Sequence, residues 1–478
     1  MASEPNSSRS RGSHRPVSPR SHPGRDLRSP DRDWLRPYPG GACPIPPHHH
    51  RTNSCVLIRG ARLAIALLIL CGASLAPRLA AQETDPTPPA PAQRVGIGDL
   101  GQTTVLDGTF NPAFSFVGDF VASWGNEDAR EAGADGFLVR TAELGIFGAV
   151  DDALEFHGVV AYTEEEVELE EAYAIARDWL PHRFSLKGGR YNVDFGKQSA
   201  LHDHDLPTLD KPAVLQEYLG GTLRGTGAEL HWWSPLGDTS LFRVSGGILQ
   251  DADGDSHAVI GPAAGHEHGD EEEESPIRDV EDFAATLRLT TLFDVTESST
   301  LQFGASALHA PTSVFGVDET DERDIDQAVL GGDLTWTCVD EETGGGLTLQ
   351  GEFLHSDADF GTLDEAGTPG DPVDDSFTVM GESANGFYAL AEYRPSRRWG
   401  FGASGGVFEH AEDADEDTSD IGVFVTWKRS EFNRLRLEVR SYADLPHEDD
   451  GIEEPLDCFA VSLQWTVILG SHGHGLDW

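Results

Sequence analysis

Histidine and carboxylate side chains recur at short spacing in this chain, and the tightest group is His202-Asp203-His204-Asp205. Residues two apart on an extended segment point the same way, so His202 and His204 could share one ion. Imidazole with carboxylate suits Zn²⁺ or another divalent metal. The plainer reading is a solvated loop in which Asp and His cap turns. A second group comprises His257 and His266-Glu-His268, followed by Gly-Asp and four glutamates to Glu274. Histidine–acid tracts are a compositional metal signal, and a flexible tract favours weak, transient capture over a closed site. His472 and His474 form a third, sparser pair. No resident cofactor is expected. Neither a nucleophile elbow, nor a P-loop, nor an H-E-x-x-H motif occurs, so no enzymatic activity is expected.

The elements that position these groups follow from a period of two. Phe459, Val461, Leu463, Trp465, Val467 and Leu469 alternate with Ala460, Ser462, Gln464 and Thr466. Leu435, Leu437 and Val439 oppose Arg436, Glu438 and Arg440 in the same way. Such alternation marks strands. About sixteen strand candidates lie between Phe114 and Leu469. With both termini on one side, every second connection should be a short turn, such as Val150-Asp-Asp-Ala153 or Pro395-Ser-Arg-Arg398. The others should be long and acidic: 125–136, 194–225, 250–281, 310–326, 357–385, 409–418 and 443–456. A hairpin at Glu164–Glu166 is the short exception. Short turns at one end and long loops at the other are the habit of an outer-membrane barrel. The expected fold is all-β, a transmembrane antiparallel β-barrel of about 16 strands.

Parity then assigns the lumen. The expected pore-lining residues are Asp119, Glu143, Glu229, His231, Arg243, Arg288, Asp333, Glu352, Lys428, Arg436, Glu438 and Arg440, with Glu155, His157 and Glu392 beside them. Charges of both signs facing one pore tune its selectivity. Glu171 breaks the parity: strict alternation aims it at lipid, so a bulge or register shift is expected there. Trp124, Trp399, Trp427 and Trp465, with Phe114 and Phe459, are candidates for interfacial girdles.

Composition agrees with a barrel. No run reaches the roughly 18 apolar residues of a membrane helix. Residues 1–82 hold 12 of the 34 basic and 4 of the 82 acidic residues, which leaves 22 against 78, a net of −56, in the remainder. Such a field attracts cations and repels nucleic acid. Arg59 and Arg62 precede the apolar run Leu63–Ala76, and Ala80-Ala81 follows, so 56–82 reads as a signal peptide. Residues 1–55 read as a disordered tail or a mis-assigned start, and 83–111 as a Pro-rich periplasmic linker ahead of a 112–478 barrel. Cys338 and Cys458 should lie near opposite membrane faces, too far apart for a disulfide.

The segment Phe184-Ser-Leu-Lys-Gly-Gly-Arg-Tyr-Asn-Val-Asp-Phe-Gly-Lys197, with Leu201-His-Asp-His-Asp-Leu-Pro-Thr-Leu-Asp-Lys-Pro212, resembles porins of the phosphate-selective O/P type. It is also similar to proteins labelled zinc-regulated TonB-dependent outer-membrane receptors, here without a plug domain. The resemblance implies a barrel whose third outer loop folds into the lumen, commonly assembled as a homotrimer. The expectation is a channel for small solutes in the outer membrane of a Gram-negative (diderm) bacterium, cation-biased and open to zinc or another divalent metal. Its partners would be outer-membrane lipid, the barrel-assembly machinery and small ions or solutes. The alternatives are a phosphate-type anion porin and a structural or adhesive barrel.

Overall fold

A computed structural model describes residues 112–131, 135–163, 167–177, 180–252, 283–315, 322–364, 376–411, 414, 416–445, 448–449, 452–453 and 455–470. The tail, signal and linker expected before residue 112 lie outside the described residues, as do His257, His266, His268, His472 and His474.

The strands of the wall are β1 (Ala113–Gly125), β2 (Gly136–Ala149), β3 (Leu154–Tyr162), β4 (Val167–Ala176), β5 (Phe184–Asn192), β6 (Arg224–Pro235), β7 (Ser240–Ala252) and β8 (Ala284–Thr296). They continue as β9 (Ser299–Phe315), β10 (Glu322–Asp340), β11 (Gly345–Asp364), β12 (Ser376–Ser396), β13 (Trp399–Glu409), β14 (Asp417–Ser430), β15 (Asn433–Ala443) and β16 (Phe459–Gly470). Every sequential pair is antiparallel, and β1 pairs β16 from Ser115↔Gly470 to Gly125↔Ala460, closing the barrel. Closure leaves no open edge, which a β-structure in lipid requires.

Connections are sorted as the sequence implied. The β2–β3, β6–β7, β10–β11, β12–β13 and β14–β15 links are short turns. In the first of these, Asp151 Oδ1 accepts the Ala153 and Leu154 amides at 2.9 and 2.8 Å. The long links lie at the opposite end, where the link between β5 and β6 is the third connection. Two expected loops prove shorter. Within 310–326, β9 runs on to Phe315 and β10 begins at Glu322; within 357–385, β11 reaches Asp364 and β12 begins at Ser376. These strands have 17–21 residues, against the roughly 9–11 that cross a bilayer. Beyond the membrane a strand needs no apolar face, so its Asp-, Thr- and Gly-rich sequence reads as loop.

The outward face is apolar. Phe120, Leu230, Leu334, Phe387, Val423 and Trp465 are among the exposed large side chains, while Asp119, His231, Thr335, Tyr388, Phe424 and Gln464, beside them in sequence, are buried. Trp124, Trp399 and Trp465, with Phe114 and Phe459, face outward. Cys338 lies at the turn end of β10 and Cys458 immediately before β16 at the loop end, and both are free.

The buried hydrophobic cluster joins the wall to the β5–β6 loop. Phe195, Val214, Leu215, Tyr218, Leu219 and Leu223, all from the β5–β6 loop, form one buried cluster with Leu308, Val329, Leu354, Ala384, Tyr388 and Phe408 of the wall.

Candidate functional site

The site is built where this loop, residues 193–223, meets the wall. Its base is closed by the Val193 amide on the Leu223 carbonyl at 2.8 Å. The chain then turns inward at Gly196, whose φ of +60° disfavours any residue with a Cβ. The Gly196 amide donates to Ser306 Oγ at 3.0 Å, the Lys197 amide to Glu352 Oε2 at 3.2 Å, and Lys197 Nζ to Gln302 Oε1 at 3.0 Å. Further on, Ala213–Leu219 forms a short helix, α1, ended by left-handed Gly220. Its Tyr218 hydroxyl donates to the Glu409 carbonyl at 2.8 Å, and Glu217 accepts the Ala411 amide at 2.8 Å.

Between these anchors the loop is held by wall charges. Arg140 donates to the Leu209 carbonyl at 2.6 Å and to Asp210 Oδ1 at 3.2 Å. Arg436 donates to the Leu206 and Thr208 carbonyls, and Arg434 to the His204 carbonyl. Glu438 Oε2 accepts the Leu209 amide at 2.7 Å. Burial raises the Asp210 carboxyl to about 6, with Arg140 only partly opposing it. Burial also lowers Lys211 to about 8.

The histidine motif sits at the centre of this docking, though not in extended form. Asp203–Asp205 is a single 3-10 turn, and the His202 and His204 rings stack at 5.5 Å with 21° between planes. A tight turn brings the rings together by stacking, where an extended segment would have aligned them by its pleat. Their partners come from the wall. His204 Nδ1 lies 2.9 Å from Glu143 Oε1, and its Nε2 lies 3.5 Å from Asp205 Oδ2. His202 Nδ1 faces Glu170 Oε2 at 3.4 Å and Glu143 Oε2 at 3.9 Å; its Nε2 faces Glu171 Oε2 at 3.3 Å. Burial works against charge on His202, but Glu170, Glu171 and Glu143 outweigh it and hold its pKa well above the ordinary value.

Two adjacent glutamates can serve one imidazole because β4 is bulged. Val159 pairs Glu171 whereas Val160 pairs Leu169, so Glu170 is the extra residue. A bulge sets two residues opposite one and breaks the alternation. This is the irregularity that the parity of Glu171 required, and it turns Glu171 inward. The sequence did not single out Glu170; its place beside the misfit was the available signal.

The metal set expected from the motif is therefore redistributed. One donor atom each from Glu143, Glu170 and His202 lies within 4.8 Å of the other two. His204 holds the other oxygen of Glu143, Asp205 faces His204, and Asp203 lies in the turn between the two histidines.

Ten of the twelve expected pore-lining residues, all but Arg243 and Lys428, are buried, and most make ion pairs or hydrogen bonds. Arg140 Nε donates to Asp119 Oδ2 at 2.7 Å. Lys187 meets Glu229 at 2.7 Å, and His231 lies 2.9 Å from the same carboxylate. Arg288 meets Asp333 at 2.9 Å, Arg243 meets Asp194 of the loop, and Arg440 meets Glu438 at 2.8 Å and Asp420. Glu352 accepts the Tyr388 hydroxyl at 2.6 Å. Arg436 does not pair with Glu438; it is spent on the loop carbonyls and on Gln464 at 2.9 Å. Lys428 is half-buried near the turn end of β14.

No family model matches the chain. A protein of Aquifex aeolicus (strain VF5), described as uncharacterized, is 24% identical over 348 residues, which are 70% of this chain and 69% of that one. Among solved structures, an anion-selective porin from Comamonas acidovorans is similar over 75% of this chain and 99% of its own, at 9% identity and a TM-score of 0.48. OprB of Pseudomonas putida is similar over 75% and 94%, at 8% identity and a TM-score of 0.45. The outer membrane channel DcaP of Acinetobacter baumannii is similar over 75% and 96%, at 12% identity and 0.45. Closure by sixteen antiparallel strands, connections sorted by length, an apolar exterior and a third loop folded into the lumen make this chain a porin-like β-barrel of the outer membrane.

Proposed function

We propose that this barrel is a channel for small solutes that favours cations, zinc or another divalent metal among them. The observation that carries the reading is the difference in how the lumenal charges are used. Arg140, Arg288 and Arg440 are held by carboxylates, and Arg434 and Arg436 by backbone carbonyls of the inward loop. Guanidinium groups engaged in this way present little to a passing anion. Glu143, Glu170 and Glu171 instead converge on the histidine turn of the same loop. The chain's formal net charge of −48 adds a long-range pull on cations.

Reconstitution in planar bilayers tests this reading. Conductance steps with potassium preferred over chloride support it. Preference for chloride would favour the phosphate-type porin, and absence of conductance a structural or adhesive barrel.

A further inference from the structure

We infer that Glu143, Glu170 and His202 form a binding site for one divalent transition-metal ion, with zinc the best chemical match. The inference gives the channel a class of cargo; it rests on the channel reading for its role but not for its geometry.

The argument starts from the two nitrogens of His202. Its Nε2 lies 3.3 Å from Glu171 Oε2. A carboxylate only accepts, so this nitrogen carries the hydrogen. Nδ1 in turn faces two carboxylate oxygens, at 3.4 and 3.9 Å; without an ion it holds a second proton, and a metal ion would take that proton's place. Three lone pairs converging on one point require a positive centre there. The shorter of these spacings is the one a metal would set: tetrahedral ligands each about 2.1 Å from zinc stand about 3.4 Å apart.

An independent observation points to the same place. Glu170 Oε2, the oxygen aimed at Nδ1, is buried and receives no hydrogen bond. Its partner oxygen is engaged, 3.4 Å from Arg224 Nη2. The remaining ligands are also held from behind. His204 Nδ1 fixes Glu143 Oε1 at 2.9 Å, and Glu171 fixes the far side of His202. A histidine ligand whose other N–H meets a carboxylate is the usual supporting arrangement of a metal site, because it sets the tautomer and the ring orientation.

Three protein ligands leave a fourth position of the tetrahedron for water. An ion held in that way can exchange, and conduction needs binding that is strong enough to enter and weak enough to leave. Mixed imidazole and carboxylate donors suit zinc better than the all-oxygen shells of calcium or magnesium.

The test is a Zn²⁺ titration of the full-length, detergent-solubilised barrel against a fluorescent chelator, in a His257→Ala, His266→Ala, His268→Ala background. Folding of each variant is checked by heat-modifiable gel mobility. Glu143→Gln and Glu170→Gln should each weaken one zinc equivalent at least tenfold, and Glu171→Gln should weaken it by a smaller factor. His202→Gln serves as the ligand variant if a glutamate variant fails to fold. Unchanged zinc affinity in the folded ligand variants would overturn the site. Potassium-over-chloride selectivity measured on the same preparations separates the two claims. Selectivity without site-dependent zinc binding overturns the site alone, whereas site-dependent binding without conductance supports the site and overturns the channel.

Discussion

Glu171 Oε2 stands 3.3 Å from His202 Nε2, across the gap between the barrel wall and the loop inside it. Beside it Glu170 is bulged out of register with β3, so that Glu170 and Glu171 both face the lumen. One extra residue in a strand thus delivers two consecutive carboxylates to the lumen.

Deleting Glu170 tests this origin. Without the extra residue the β3–β4 ladder becomes regular and Glu171 keeps its inward aim. The barrel should fold, and the loop should keep its Glu171–His202 contact. Zinc affinity should fall at least tenfold, because one of three ligands is gone. Heat-modifiable mobility and zinc titration together read the outcome.

Docking of the loop depends on Gly196 and Arg436. Gly196→Ala places a Cβ in a left-handed conformation and against the Glu352 carboxylate, at a cost of about 1–2 kcal/mol for the backbone alone. Arg436→Met leaves the Leu206 and Thr208 carbonyls without their donor, at about 1–3 kcal/mol for each buried group. Both variants should keep the wall intact and speed amide exchange within residues 194–212. Exchange that rises equally in the wall strands would contradict a separately docked loop.

Asp210 gives the docking a pH dependence of defined sign. Its carboxyl is raised to about 6, chiefly by burial, above its ordinary value of 3.8. Between these values the docked loop binds more protons than the free chain, so docking strengthens as pH falls from 6 to 4. A shift of about two units corresponds to roughly 1–3 kcal/mol. Asp210→Asn should flatten the profile over this window while leaving the rest. The measurement is amide exchange at Leu209 and its neighbours, corrected for intrinsic rate, in both proteins; identical slopes would remove Asp210 as the cause.

The wall itself makes a prediction about lipid. Val423 faces outward on β14 and is 53% exposed, while its neighbours Gly422 and Phe424 face inward. Val423→Arg should cost about 2–4 kcal/mol if that position lies near the bilayer midplane. Val423→Leu, which keeps the position apolar, should stay within about 0.5 kcal/mol of the parent protein. Unfolding by guanidinium in lipid vesicles compares the two.

Much of this architecture was legible in the sequence because period two and turn chemistry are local. Leu435-Arg-Leu-Glu-Val-Arg440 states its own inner and outer faces, and the misfit of Glu171 located the bulge. The loop's inward course was legible only through resemblance at Phe184–Pro212. What could not be read was meeting across the lumen. Glu143 and His202 are neighbours only because β2, β4 and the loop share one level, and no local pattern encodes that level. Nor could alternation say that Arg436 would turn to the carbonyls of Leu206 and Thr208 while its sequence neighbour Arg440 pairs with Glu438. The polar ends of β9–β12 were missed for the opposite reason: outside the membrane, pairing continues without an apolar signature.

The zero-current potential of the reconstituted barrel under a tenfold potassium chloride gradient tests the central claim most directly. The account predicts discrete conductance and a potential whose sign reports potassium moving in preference to chloride. A potential of the opposite sign, or a bilayer that never conducts, would contradict it.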